Sequence, residues 1–165
     1  MAIRRMNHAV LYVRSADRTA AFYRDVLGFS EVSRFGNGAG VFMRAPDSNN
    51  DHDIAFFSMG DRAADSPAGR TAVGLYHVAW EVATLGDLRD HARRLEEAGA
   101  LVGASDHHTS KSLYAKDPDG LEFEVCWMVP ADLLDEGQGQ PIAPLDLEAE
   151  IARFGADTPG NLLTP

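Results

Sequence analysis

A chain of 165 residues that is 45% apolar and 24% charged has the make-up of an ordinary folded protein and enough length to bury a sizeable core, which excludes disorder of the whole chain. Its 25 acidic residues against 15 basic ones leave a formal net charge of −10, so nucleic acid, which calls for clustered Lys and Arg, is not an expected partner. No run approaches the roughly 20 apolar residues of a membrane-spanning helix. Arg4 and Arg5 lead into alternating residues rather than a continuous apolar core, and the single Cys126 allows no internal disulfide, so the expected setting is the cytoplasm, away from any membrane.

Met6 to Val13 alternates as a strand, with His8, Val10 and Tyr12 on one face. A helix follows, capped near Ser15 or Asp17, burying Thr19, Phe22, Tyr23, Val26 and Leu27 at helical spacing and stopping at Gly28. Three short strands come next, near Phe29 to Phe35, Gly40 to Arg44 and Asp53 to Met59, with the turn cluster Asp47-Ser48-Asn49-Asn50 before the last. Gly60 to Thr71, rich in Gly, Ala, Asp and Pro, reads as a linker. Leu75 to Val82 is again a strand, with His77, Ala79 and Glu81 on one face, and runs into a helix capped by Thr84 that buries Leu85, Leu88, Ala92 and Leu95 and stops at Gly99. Strands at Leu101 to Ala104, Ser112 to Lys116 and Leu121 to Met128 follow. The tail, Val129 to Pro165, contains five prolines and one short amphipathic helix around Leu145 to Phe154, expected to pack against the domain or a partner subunit.

The helix ends lie 71 residues apart and the histidines 69 apart, which marks an internal repeat. Each half reads strand, helix, strand, strand, strand. The expected class is therefore α+β with two tandem βαβββ modules, 3–60 and 73–128 joined by a linker at 61–72, making a single domain 1–128 followed by an extension 129–165.

Two imidazoles and a carboxylate on separate strands are what a protein needs to hold a divalent metal on one side while leaving the other side open. His8 and His77 occupy matching places in the two repeats. On the last strand Glu122, Glu124 and Cys126 share a face, while Phe123, Val125 and Trp127 share the one that should pack under the helices. His8, His77 and Glu124 are thus the candidate metal ligands. In the first repeat the counterpart of Glu124 falls between Asp53 and Ala55, and the apolar Ile54-Ala55-Phe56 favours Ala55, hence no fourth carboxylate. His91 lies on the polar side of its helix and is expected to be solvated. His52, beside a turn, either lines a pocket mouth or caps a strand. Asp117-Pro118-Asp119-Gly120 is a turn on its own chemistry and requires no catalytic role.

The paired units, the phrase Asn7-His8-Ala9-Val10-Leu11-Tyr12-Val13, the helix end Phe22-Tyr23-Arg24-Asp25-Val26-Leu27-Gly28-Phe29, and Asp117-Pro118-Asp119-Gly120 before Glu124 resemble the vicinal oxygen chelate superfamily over about residues 3 to 128. That superfamily includes glyoxalase I, bleomycin-resistance proteins, epimerases and extradiol dioxygenases. The sharper likeness is to the extradiol enzymes: five residues separate His107 from Leu113-Tyr114, and Glu124 falls ten residues after Tyr114. The adjacent His108 competes for the histidine place with a poorer spacing. The resemblance implies two modules around a cupped mixed sheet with the metal inside. It further implies Fe(II), with Mn or Zn as alternatives, an aromatic vicinal diol and O₂ as substrates, and catalytic roles for Tyr114 and His107. A homodimer is expected because the symmetric dimer is the commonest assembly of soluble proteins, with the tail available to build it. Two other readings stand beside it: a glyoxalase-like isomerase, epimerase or thiol transferase with a completed coordination shell, and a resistance protein that sequesters a small molecule without metal.

Overall fold

The computed structural model describes residues 2–3, 5–69, 71–134 and 141–161; Arg4 and the stretches 135–140 and 162–165 of the C-terminal extension lie outside the described residues. The chain divides into two compact units, Met1–Ser66 with the turn Asp117–Gly120, and Pro67–Lys116 with Leu121–Pro165. The class is α+β. Among the described residues each unit holds its own mixed sheet, and no helix is long and apolar enough to cross a membrane.

In the first unit, strands β1 (Ala9–Val13), β2 (Ser30–Phe35), β3 (Gly40–Arg44) and β4 (Ile54–Ser58) form a sheet ordered β1-β4-β3-β2, with β1 parallel to β4 and the other pairs antiparallel. The strand predicted from Met6 begins only at Ala9, whose N–H makes the ladder's first bond, 2.9 Å to the Asp53 carbonyl. Helix α1 (Ala16–Leu27) is capped by Ser15, whose Oγ accepts from the Arg18 N–H at 3.3 Å, and it ends at Gly28 in the left-handed region, φ 81°. A side chain at that dihedral would strain the backbone, which is why glycine sits there. Tyr23 turns inward against Phe56 (4.8 Å between ring centroids) and Phe29 (5.4 Å). Phe22 and Val26 are only half-buried; Ala16 and Ala20 instead bring the helix close to the sheet. On the opposite face, a Cβ at Gly40 would lie 2.8 Å from Phe35 and 3.2 Å from Phe57, so glycine there lets those two rings meet across β3 at 5.9 Å.

The Asp117–Gly120 turn closes on itself and on the β1–α1 junction. Asp117 accepts from the Asp119 N–H at 2.8 Å, and the buried Asp119 carboxylate accepts from the Arg14 N–H at 2.7 Å, from the Arg14 guanidinium at 3.2 Å and from that of Arg18. The turn is thus an anchor rather than a mere reversal.

In the second unit, β5 (His77–Glu81), β6 (Leu101–Asp106), β7 (Ser110–Lys116), β8 (Glu122–Met128) and a two-residue β9 (Ala143–Pro144) are ordered β5-β8-β7-β6-β9. Helix α2 (Leu85–Glu97) opens with a reciprocal cap: Thr84 Oγ1 accepts from the Asp87 N–H at 3.1 Å and Asp87 accepts from the Thr84 N–H at 3.0 Å, an arrangement whose loss costs about 0.5–2 kcal/mol in comparable helices. Leu85, Leu88 and Leu95 are buried on its inner face, and Leu113, Ala115, Phe123, Val125 and Trp127 on the helix side of the sheet.

The extension builds onto this same unit. β9 pairs with β6, and helix α3 (Leu147–Phe154), capped by Asp146, sets Phe154 5.5 Å from Trp127, whose Nε1 donates to the Thr158 carbonyl at 3.2 Å. The Gly86 N–H reaches the Ala156 carbonyl at 2.8 Å.

Both hairpins carry one extra residue at corresponding places, Val32 between Glu31 and Ser33 and Val102 between Leu101 and Gly103. The parallel pairs share a register too. Val10 faces Ala55 in the first sheet and Ala79 faces Glu124 in the second, the same displacement that relates His8 to His77.

Candidate metal centre and its surroundings

Three strands of the second unit meet at one place. β8 lies between β5 and β7, and the registers put both Ala79 and Tyr114 beside Glu124. Period-two alternation sends His77, Glu124, Cys126, Tyr114 and Ser112 to the face away from α2. There His77 Nε2 stands 3.1 Å from Glu124 Oε2, with the two side chains 26% and 12% exposed. Adjacent ligands of one cation, each about 2.1 Å from it, stand about 3 Å apart. The pair therefore has the donor chemistry and the spacing that a divalent metal requires, and His77 Nδ1 is buried without a hydrogen-bond partner among the described residues.

Tyr114 has its ring 5.9 Å from that of His77 and its hydroxyl 2.7 Å from His107 Nε2. Burial first, and then the neighbouring Glu124 charge, push the Tyr114 phenol above its ordinary value, so the hydroxyl keeps its proton at neutral pH and remains a donor. Tyr76 packs its ring 4.7 Å from His77, and a hydrogen bond to Glu122 raises its phenol as well. Cys126 is free and buried; burial, reinforced by Glu124 and Glu81, pushes its thiol up to about 12, which removes it as a nucleophile at neutral pH.

His8 lies in the first unit, exposed and immediately before β1. Its Nδ1 is 2.8 Å from Asn7 Oδ1 and its ring is 4.5 Å from that of His52, whose own Nδ1 is 2.8 Å from Asp51. His52 also meets Phe42 edge to face at 5.1 Å. With both Nδ1 atoms engaged, each ring keeps Nε2 for other partners. The Asp53 carboxylate accepts from the Ala45 N–H (2.9 Å), Ser48 Oγ (2.7 Å) and Asn50 Nδ2 (2.8 Å), closing the 45–50 loop. The residue in register with Val10 is Ala55.

Of the residues singled out from sequence, the second unit thus gathers His77, Glu124, Tyr114 and His107, and the first unit places His8 with His52. Among the described residues no group of three or more His, Cys, Asp or Glu side chains is gathered as a metal cage. It is His107, not His108, whose ring meets Tyr114; His108 takes the left-handed conformation, φ 68°. One expectation is corrected: His91 is half-buried, its Nδ1 is buried without a hydrogen-bond partner among the described residues, and burial holds its imidazole below the usual range. Lys111 is a residue that sequence reasoning missed. Its alternation with Leu113 and Ala115 places it on the helix side of β7, and it is 1% exposed.

The sequence profile of the glyoxalase/bleomycin resistance protein/dioxygenase superfamily matches residues 5–125. Metapyrocatechase 2 of Cupriavidus necator is 28% identical over 160 residues, covering 94% of this chain and 46% of that protein. Biphenyl-2,3-diol 1,2-dioxygenase 3 of Rhodococcus globerulus is 34% identical over 124 residues, covering 73% of this chain and 62% of that protein. The chain spans about half the length of the curated relatives it matches. Among solved structures, a glyoxylase/bleomycin resistance protein/dioxygenase domain from Frankia sp. EAN1pec shares the fold, with a TM-score of 0.65 at 21% identity over 83% of this chain and 96% of that one.

Proposed function

From the premise that the chain belongs to the glyoxalase/bleomycin resistance protein/dioxygenase superfamily, we propose that it is a metal-dependent extradiol dioxygenase that opens the ring of a catechol-type vicinal diol with O₂. The observation that carries this reading is the second unit's cluster, in which His77 and Glu124 stand 3.1 Å apart with a Tyr114 hydroxyl braced by His107 on the neighbouring strand. The names of the relatives point the same way: metapyrocatechase 2 and a biphenyl-2,3-diol 1,2-dioxygenase.

The proposed ligands are His77, Glu124 and His8, a two-histidine, one-carboxylate set of the kind associated with non-heme Fe(II), although Mn and Zn also accept such donors. When bound there, the metal supplies Lewis acidity that favours the ionised form of the diol. The remaining work falls to the chain. Tyr114, protonated at neutral pH, donates a hydrogen bond to a substrate oxygen, and His107 fixes the direction of that hydroxyl through their 2.7 Å contact. The same imidazole, within hydrogen-bond reach of that hydroxyl, is the group proposed to relay a proton during turnover. Tyr76 covers one side of His77, and in the first unit the ring of His52 covers His8.

The isomerase reading needs a fourth ligand, and the first unit offers none at the matching place: Ala55 has no donor, and Asp53 spends its carboxylate on the 45–50 loop. Anaerobically prepared protein loaded with Fe(II), offered a panel of catechols, is expected to consume O₂ and form a yellow ring-opened semialdehyde. Loading with Mn or Zn in parallel identifies the working metal. Metal retained without oxygen uptake on any diol would favour the isomerase class, and failure to retain metal would favour a sequestering protein.

A further inference from the structure

Lys111 is buried among the apolar side chains on the helix side of β7, with its ammonium between two carboxylates: it hydrogen-bonds Asp106 and pairs with Glu150 Oε2 by charge, without a hydrogen bond. Nζ stands 2.6 Å from Asp106 Oδ1 and 2.9 Å from Glu150 Oε2, and 5.8 Å from the centre of the Phe154 ring. Glu150 and Phe154 belong to α3, and Asp106 is the last residue of β6. A lysine is almost never so buried without paying for its charge with partners on the spot. What these partners hold is the short loop between β6 and β7. The same Asp106 oxygen accepts the His108 N–H at 2.7 Å, fixing the left-handed φ of 68° that this residue adopts. The His107 N–H bonds the Ser110 carbonyl at 2.9 Å, the Thr109 N–H returns to the His107 carbonyl at 2.8 Å, and the Val129 N–H ties Thr109 to the end of β8 at 3.0 Å. A side chain with a Cβ enters the left-handed region only when its surroundings over-determine it, and such strain tends to collect where a neighbouring group must be aimed. The neighbour here is His107.

We propose that Glu150 and Lys111 are positioning residues for His107: the chain Glu150–Lys111–Asp106 carries the placement of the C-terminal helix through the sheet to the 106–110 loop and holds His107 Nε2 against the Tyr114 hydroxyl. The catalytic part of this inference rests on the dioxygenase reading; the structural part does not. It gives the C-terminal extension a role in the site itself. The Asp106 carboxyl fits this role: although burial favours its neutral form, the Lys111 ammonium and the His108 N–H outweigh that and hold it below its usual range, so it is an anion wherever the enzyme works.

Glu150→Gln keeps the shape of α3 and removes its charge from the chain. In the 165-residue chain without metal or substrate, amide hydrogen exchange at His107 to Ser110 is expected to speed up about tenfold or more while the β8 amides around Val125 stay at their original rates. In the metal-loaded enzyme the same substitution is expected to lower kcat about fivefold or more with KM within about twofold, because positioning rather than binding is lost. Glu150→Asp, which retains the charge, should recover most of both. A variant that melts at a lower temperature but leaves the loop amides unchanged would reduce the chain to a latch for α3 and overturn the proposal, as would faster loop exchange with kcat intact. An inactive parent protein would overturn the dioxygenase reading instead, leaving the exchange result to decide whether the brace exists.

Discussion

In the first unit the face turned away from the helix presents Val10, Ala55 and Phe42 in register across β1, β4 and β3; in the second the corresponding places on β5, β8 and β7 hold Ala79, Glu124 and Tyr114. The sides beneath the helices differ far less in kind, with Tyr23, Ile54 and Phe56 buried in one unit and Leu113, Phe123 and Trp127 in the other. One scaffold has thus been used twice, and at these register positions the side chains differ most on the face turned away from the helix. A carboxylate and a phenol in one copy correspond to a methyl group and a phenyl ring in the other, while an imidazole, His8 or His77, stands at the matching place in both. On the proposed reading, a duplicated module can supply metal donors unequally without losing its fold, because the helix side of each sheet is packed and the proposed donors stand on the other.

The largest expected effect tests that division on the stability side. Trp127→Ala removes the most voluminous fully buried side chain, the ring against Phe154 and the bond to Thr158, and should cost about 3–5 kcal/mol by denaturant unfolding. It should also release α3, visible as faster exchange of the α3 amides. Tyr114→Phe makes the second unit's face like the first, where Phe42 stands at the corresponding place. It should lower kcat about a hundredfold, close to 2.7 kcal/mol, with metal content unchanged, since only the hydroxyl is lost. An equal fall in metal content would mean that the ring supports the ligands rather than the substrate.

A smaller effect is expected at the turn. Asp119→Asn removes the charge that Arg14 and Arg18 share, and should cost about 1–3 kcal/mol. In the first repeat Asp53 does comparable work for the 45–50 loop with neutral partners only, so Asp53→Asn should cost less.

Much of this was legible in the residues. The limits of β3, the cap at Thr84 and the stop at Gly28 follow from local chemistry, and the repeat from its spacing; the first helix's cap was narrowed to Ser15 or Asp17, and it is Ser15. The apolar run Ile54-Ala55-Phe56 pointed to Ala55 as the counterpart of Glu124, and the registers set Ala55 beside Val10 as they set Glu124 beside Ala79. What was hidden depends on partners remote in sequence. Lys111 looks like a surface residue until Glu150 from α3 and Asp106 from β6 arrive beside it. His52 stayed undecided because only the fold brings its ring to His8. His91 was misjudged because a helical wheel gives a face but not what packs on it. Met6 to His8 alternate like a strand, yet the ladder begins only at Ala9.

The His91 correction gives the smallest prediction. Burial holds its folded-state value below the ordinary one of about 6.5, so the neutral ring contributes stability that is fully present above about pH 6.5 and is lost as the pH falls toward the folded value. Melting temperatures followed from pH 8 to pH 5 should fall more steeply for the parent protein than for His91→Leu. Parallel curves would place the ring in solvent after all.

The central claim, that the second unit's carboxylate is the metal donor its counterpart in the first unit is not, is tested most directly by iron content and catechol-dependent oxygen uptake in Glu124→Ala beside Ala55→Ser. The expected result is loss of both properties, by more than about a hundredfold, in Glu124→Ala, and neither in Ala55→Ser. Iron and oxygen uptake retained in Glu124→Ala would contradict the account.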